Sequence, residues 1–142
     1  MRYLIDTCVI SEAVKPAPAM HVIHWLESID EHSLYLSVLT LGELQKGISA
    51  LAPGKRRQQL QAWLDQSLMQ RFSNRIFSVD GETALEWGVL SGQARASGVA
   101  APAIDTLLAA TARQHNLTLV TRNIHDFAPF ELHVFNPWES TD

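Results

Sequence analysis

Short apolar runs that read as buried strands alternate along this chain with longer stretches whose apolar residues fall at helical spacing. No other feature constrains the fold as tightly. The strand candidates are Tyr3–Ile5, Leu34–Val38, Ile76–Val79, Leu117–Thr121 and Leu132–Phe135. Between them the helical pattern runs over Met20–Ile29, Leu41–Leu51, Leu60–Leu68, Glu82–Ser97 and a stretch opened by Pro102 that carries Ile104, Leu107, Leu108 and Ala112. The punctuation agrees: Pro53-Gly54 stops one helix, Gly98 stands where a left-handed C-terminal cap belongs, and Asn116 closes the last long helix before Leu117. Runs of this kind, apolar throughout rather than alternating, belong to strands buried on both faces, and helices between them make the pairing parallel. The expected fold class is α/β, a three-layer α/β/α sandwich around a mainly parallel central sheet.

Size and composition bound the rest. At 142 residues with 46% hydrophobic content, the chain suits one domain spanning 1–142 whose core needs no metal or disulfide to hold it. Cys8 is the single cysteine, so an intramolecular disulfide is impossible and a reducing cytoplasm is the expected compartment. No run approaches the roughly 18 apolar residues of a membrane span, and Met1–Ile5 meets Asp6 too early for a signal peptide. The formal charge of -4 argues against a protein that coats nucleic acid with a broad basic surface.

In open parallel sheets, ligands gather beyond the carboxyl ends of the strands. Residues there form a chemically coherent set: Asp6 ends the first strand, Glu43 lies on the helix after the second, Asp105 sits in the first turn after Pro102, and Asp126 follows Leu117–Thr121. Thr7, Thr121 and Asn123 are their sequence neighbours. Each acid has a plainer reading: Asp6 as a helix cap, Asp105 as a complement to a helix dipole, Asp126 with Asn123 as a cap, and Glu43 as a solvated side chain. Glu43 is the hardest to dismiss, because Gly42 and Gly47 weaken its helix and suggest the close approach of another backbone or a ligand. Gathered in one crevice, the acids conflict. Two carboxylates about 4 Å apart repel by about 4 kcal/mol at an effective dielectric near 20, and a hard cation such as Mg²⁺ or Mn²⁺ removes the conflict. Such an ion also activates water toward a phosphodiester.

Four segments carry a resemblance to a known family: Leu4-Ile5-Asp6-Thr7-Cys8-Val9-Ile10-Ser11-Glu12, Thr40-Leu41-Gly42-Glu43-Leu44-Gln45-Lys46-Gly47-Ile48, Ala103-Ile104-Asp105-Thr106-Leu107-Leu108-Ala109-Ala110-Thr111-Ala112, and Leu119-Val120-Thr121-Arg122-Asn123 with Asp126-Phe127. In order and spacing they resemble PIN domains, and more narrowly the VapC/FitB-type toxins of type II toxin-antitoxin modules. The resemblance implies an Mg²⁺-dependent endoribonuclease that cuts RNA with a metal-activated water. It implies Asp6 and Asp105 as metal ligands, Glu43 and Asp126 as the other catalytic acids, and Thr7, Thr121 and Asn123 in support, with Asn123 and Asp126 alternatives for completing the site. It further implies a small DNA-binding antitoxin as partner, a homodimer, and a higher assembly with operator DNA.

Other residues carry weaker signals. Lys46 and Arg122 are candidate contacts for an RNA backbone, as is Arg95. Lys55-Arg56-Arg57 opens a helix, a poor place for positive charge by the dipole rule; it reads as a solvated cluster first and a phosphate contact second. Cys8 reads as a small buried side chain, the tryptophans as core or dimer packing, and the histidines as surface or core-edge residues. Two alternatives compete: a PIN-like RNA- or protein-binding module without turnover, and a haloacid-dehalogenase-like phosphatase, whose pattern wants an aspartate where Cys8 stands. Removing Asp6, Glu43, Asp105 and Asp126 from the 15 acids leaves 11 to match the 11 bases, so the net acidity is assignable to one pocket.

Overall fold

Consecutive side chains in a strand point to opposite faces, so a strand with apolar residues at every position must be covered on both sides. β1 (Tyr3–Ile5) does this over its short length. Leu4 packs with Leu90, Leu108, Leu119 and Phe127, whereas Ile5 packs with Val9, Val22, Leu36, Leu44 and Val120. The same split separates Leu119 from Val120 in β4 (Thr118–Val120). These two clusters are the cores above and below the sheet.

The computed structural model describes residues 1–139; residues 140–142, the end of the expected domain range, lie outside those described. The sheet contains β1, β2 (Leu34–Ser37), β3 (Ile76–Phe77), β4 and β5 (Val134–Phe135) in the order β3-β2-β1-β4-β5. Every pairing is parallel, with Tyr3 opposite Leu34 and Ile5 opposite Val120. One face is covered by α1 (Thr7–Glu12), α2 (Met20–Ser28), α3 (Val38–Ser49) and a long helical arm. That arm runs as α4 (Lys55–Ala62), a wider π-helical stretch over Trp63–Leu68, and α5 (Met69–Arg71), placing Leu64, Leu68 and Phe72 in the core. On the other face lie α6 (Gly81–Ala96), α7 (Ala103–Gln114) and α8 (Ile124–Phe127). The three-layer α/β/α class is therefore the one expected.

Element ends differ from the sequence expectation for local reasons. Val38 is the first residue of α3 rather than the last of a strand, because the Ser37 hydroxyl accepts from Leu39 N at 3.0 Å and caps the helix. Leu51, expected on the core stripe of α3, lies beyond the end of that helix and is 38% exposed. Gly98 and Asn116 take the left-handed conformation, with φ of 73° and 54°, in the capping positions expected of them. Gly42 and Gly47 are not explained by a close backbone approach: a Cβ at either position meets nothing within 4 Å.

Candidate active site

From β1 the chain builds one side of the sheet through β2 and β3, then crosses to build the other through β4 and β5. The order reverses between β1 and β4, and the crevice beyond their carboxyl ends is where a doubly wound sheet binds its ligand. Asp6 follows β1 directly and Thr121 follows β4 directly. The two meet there.

Asp6 is 7% exposed, and each of its carboxylate oxygens accepts a hydrogen bond. Its Oδ1 accepts from the Thr7 N–H at 2.8 Å, and its Oδ2 accepts from the Thr121 hydroxyl at 2.7 Å. Asp6 thus caps α1 while standing at the strand end, so the plain and the functional readings hold together. Thr121 Oγ1 in turn accepts from the Asn123 N–H at 3.1 Å. Cys8 Sγ lies 3.8 Å from Asp6 Oδ2, and burial, followed by the Asp6 charge, pushes its thiol above the ordinary range. A thiol held protonated in this way is neither a nucleophile nor a soft metal ligand.

The other three acids stand on helices. Ser37 caps α3 at the end of β2, and nearly two turns later Glu43 Oε1 accepts from the Thr7 hydroxyl at 2.6 Å. Thr7 therefore joins two acids, its N–H on Asp6 and its hydroxyl on Glu43. Asp105, in the first turn of α7, is half-buried and has no hydrogen-bond partner among the described residues. Burial raises its carboxyl above the usual aspartate range, and the charges of Asp126, Asp6 and Glu43 raise it further, in that order. Asp126 lies exposed in α8, and only its backbone is held, its N–H donating to Asn123 O at 3.1 Å. Asn123 occupies the cap position of α8 without a side-chain capping bond, which leaves its amide uncommitted to that role.

All four sequence-selected acids thus share one electrostatic site, and Thr7, Thr121 and Asn123 stand in its supporting bonds. Lys46 is exposed one turn past Glu43 on α3; Arg122 is exposed beside Thr121, its guanidinium 5.0 Å above the Trp138 ring. Sequence reasoning gave Glu12 no role. Glu12 is buried, receives Lys15 Nζ at 2.9 Å and the Ala19 N–H at 2.8 Å, and so ties the end of α1 to the start of α2. Its only sequence signal was a carboxylate inside an otherwise apolar segment.

The donor set suits a hard divalent cation: carboxylate oxygens, a protonated thiol, and a repulsion at Asp105 that added positive charge relieves. Among the described residues no three His, Cys, Asp or Glu side chains are grouped tightly enough to cage an ion. Mg²⁺ does not require a cage, since it retains several waters and is held by one or two carboxylates together with substrate phosphate.

Comparison with known proteins gives a consistent result. The PIN domain family matches residues 3–128. Toxin FitB of Neisseria gonorrhoeae (strain ATCC 700825 / FA 1090) is 38% identical over 135 residues, covering 95% of this chain and 97% of that protein. VapC ribonuclease Y4jK of Sinorhizobium fredii (strain NBRC 101917 / NGR234) is 34% identical over 136 residues, 96% of this chain and 97% of its own. A solved structure of FitAB bound to an IR36 DNA fragment superposes with a TM-score of 0.93 at 35% identity, covering 99% of this chain and 98% of that one.

Proposed function

This chain belongs to the PIN-domain family, and on that footing we propose that it is a divalent-metal-dependent endoribonuclease, the toxin of a type II toxin-antitoxin module. The observation that carries the reading is the convergence of Asp6, Glu43 and Asp126 on the half-buried Asp105, at the point where the strand order reverses. Asp6 and Asp105 are the residues that hold the ion, Mg²⁺ or Mn²⁺. When bound, that ion supplies an activated water and a counter-charge for the phosphodiester.

The chain's own groups do the positioning. The Thr7 N–H and the Thr121 hydroxyl hold the Asp6 carboxylate in one orientation. The Thr7 hydroxyl fixes Glu43 through Oε1. Its Oε2 has no partner among the described residues, which supports a role for it in orienting a water or taking its proton. Asp126, exposed and acting on Asp105 by its charge, or the exposed Asn123 completes the acidic site, and Lys46 and Arg122 contact the RNA backbone. The FitAB–DNA relative supports an antitoxin partner and operator DNA for this chain as well. A homodimer is favoured by the exposed Leu85 and Val89, one turn apart on α6. No helix among the described residues is long and apolar enough to cross a membrane.

The test is direct. Purified free of antitoxin, the protein should sediment as a dimer and degrade cellular RNA with Mg²⁺, and both a chelator and Asp6→Asn should stop it. Cleavage that survives either treatment refutes the metal mechanism. RNA binding without any cleaved product, even with metal, favours the binding-module reading instead.

A further inference from the structure

Of the chain's 11 basic side chains, Lys15, Arg71, Arg75 and Arg113 make ion pairs among the described residues. Lys55, Arg56 and Arg57 make none there, although they are consecutive and open α4. The Gly54 cap offers no side-chain bond and the first turn holds no acid, so nothing local offsets their charge at the positive end of the helix. What Arg56 and Arg57 do touch is main chain: Arg56 Nη2 donates to Val14 O at 2.9 Å and Arg57 Nη1 to Leu51 O at 3.4 Å. A carbonyl oxygen orients a guanidinium without cancelling its charge, and it leaves most of the donors free.

The first of these bonds places the cluster. Val14 lies in the loop leaving α1, beside Lys15, whose side chain is 56% exposed and reaches Glu12. Glu12 also feels the charge of Arg122, which follows Thr121. From the tip of α4, cations therefore continue through the loop at 14–15 to Arg122, next to the hydroxyl that holds Asp6. Along this strip Glu12 is the carboxylate that Lys15 pairs with and Arg122 acts on, and it is buried, whereas Lys55, Arg56 and Arg57 make no ion pair among the described residues. The strip keeps an excess of positive charge on a chain whose net charge is -4. Arg122, lying over Trp138, is fixed at its inner end.

We propose that this strip is the track for the sugar-phosphate backbone of single-stranded RNA on its way out of the carboxylate site. The inference rests on the ribonuclease reading, and it adds Lys15, Lys55, Arg56 and Arg57 to the substrate contacts. RNA is favoured over an acidic protein because the strip runs into the carboxylates, where a phosphodiester must lie and where a second set of carboxylates would be repelled. A positive groove that follows the backbone is the usual means of holding a single strand without reading its sequence.

The experiment separates binding from cleavage. The affinity of a labelled single-stranded RNA oligonucleotide is measured in chelator over a range of salt for the wild type, for K55E/R56E/R57E, and for the single exposed variants Lys55→Glu and Lys15→Glu. The triple variant should bind at least about tenfold more weakly, and its plot of log K against log salt should be shallower by about 2, since each single-strand phosphate contact contributes about 0.7. With Mg²⁺, KM on long RNA should rise while kcat holds. The single variants should shift affinity in the same direction, which guards against misfolding of the triple variant. Wild-type affinity and salt slope in all three variants of a protein that cleaves RNA would overturn the strip alone. A wild type that never cleaves, but whose RNA binding weakens with these substitutions, overturns the nuclease reading and leaves the strip standing.

Discussion

Asp6 and Asp105 face the same crevice and are held there in opposite ways. Asp6 grows out of the sheet, is buried, and has each carboxylate oxygen committed to a donor supplied by the fold. Asp105 stands on a helix, is half-buried without a hydrogen-bond partner among the described residues, and feels three other carboxylates. The Asp6 side is complete as a structure. The Asp105 side is stable only to the extent that its charge is suppressed by a proton or offset by a cation. The difference separates two ways of holding an acid: the fold's own donors position Asp6, whereas at Asp105 the neighbouring carboxylates raise the cost of its charge and no hydrogen bond among the described residues offsets it.

The largest effect should come from removing one charge from each side. Asp6→Asn and Asp105→Asn should both reduce RNA cleavage by more than the roughly 100-fold that loss of an outer-sphere partner can cost. Their stabilities should diverge. In chelator, Asp6→Asn weakens charge-assisted bonds from Thr7 and Thr121 and should destabilise the fold by about 1–3 kcal/mol, whereas Asp105→Asn relieves repulsion and should leave the melting temperature unchanged or higher. Thermal melts of the two variants decide it. Equal destabilisation by both would erase the distinction between the two sides.

Thr121 sharpens the comparison from the sheet side. Thr121→Val keeps the shape and removes the hydroxyl that donates to Asp6 and accepts from Asn123 N. Cleavage should fall by about 10- to 100-fold, as for other supports of a metal ligand, and Thr121→Ser should recover most of it. Full activity in the valine variant would mean that Asp6 is oriented by Thr7 N–H alone.

The sequence revealed the sheet side of this site more fully than the helix side. Asp6 and Thr121 could be placed because apolar runs end abruptly at them, and a strand end in a parallel sheet is a position with a known destination. Asp105 was recognised as an acid in a helical first turn and Glu43 as an acid on the helix after the second strand, but their approach to one another depends on how α3 and α7 pack on opposite faces of the sheet, which no local pattern encodes. Gly42 and Gly47 show the same limit: their cost to α3 was visible, yet the close backbone approach inferred from it is absent. The short elements α1 and α8 have too few residues for a helical period to show, although their caps, Asp6 and Asn123, were noticed. Glu12 escaped because its partners, Lys15 and the Ala19 N–H, are set by the loop between α1 and α2 rather than by spacing.

The smallest expected effect is the pH dependence of stability, and it tests the helix side directly. Because the folded-state value of Asp105 is raised, the folded chain holds that proton more tightly than the unfolded chain does. Its contribution is fully present below the ordinary aspartate value of about 4 and is lost as pH rises through the raised value. Glu12, Glu31 and Asp80 have lowered values, so theirs is present above the ordinary range and lost as pH falls. The wild-type curve mixes both signs, and subtracting the curve of Asp105→Asn isolates the first. In chelator the wild type should lose ground to the variant as pH rises from about 4 toward neutrality, and Mg²⁺ should restore that loss at the neutral end for the wild type more than for the variant. A difference that stays flat with pH would mean that the neighbouring carboxylates do not act on Asp105. A loss that Mg²⁺ fails to restore would mean that the ion is not held there.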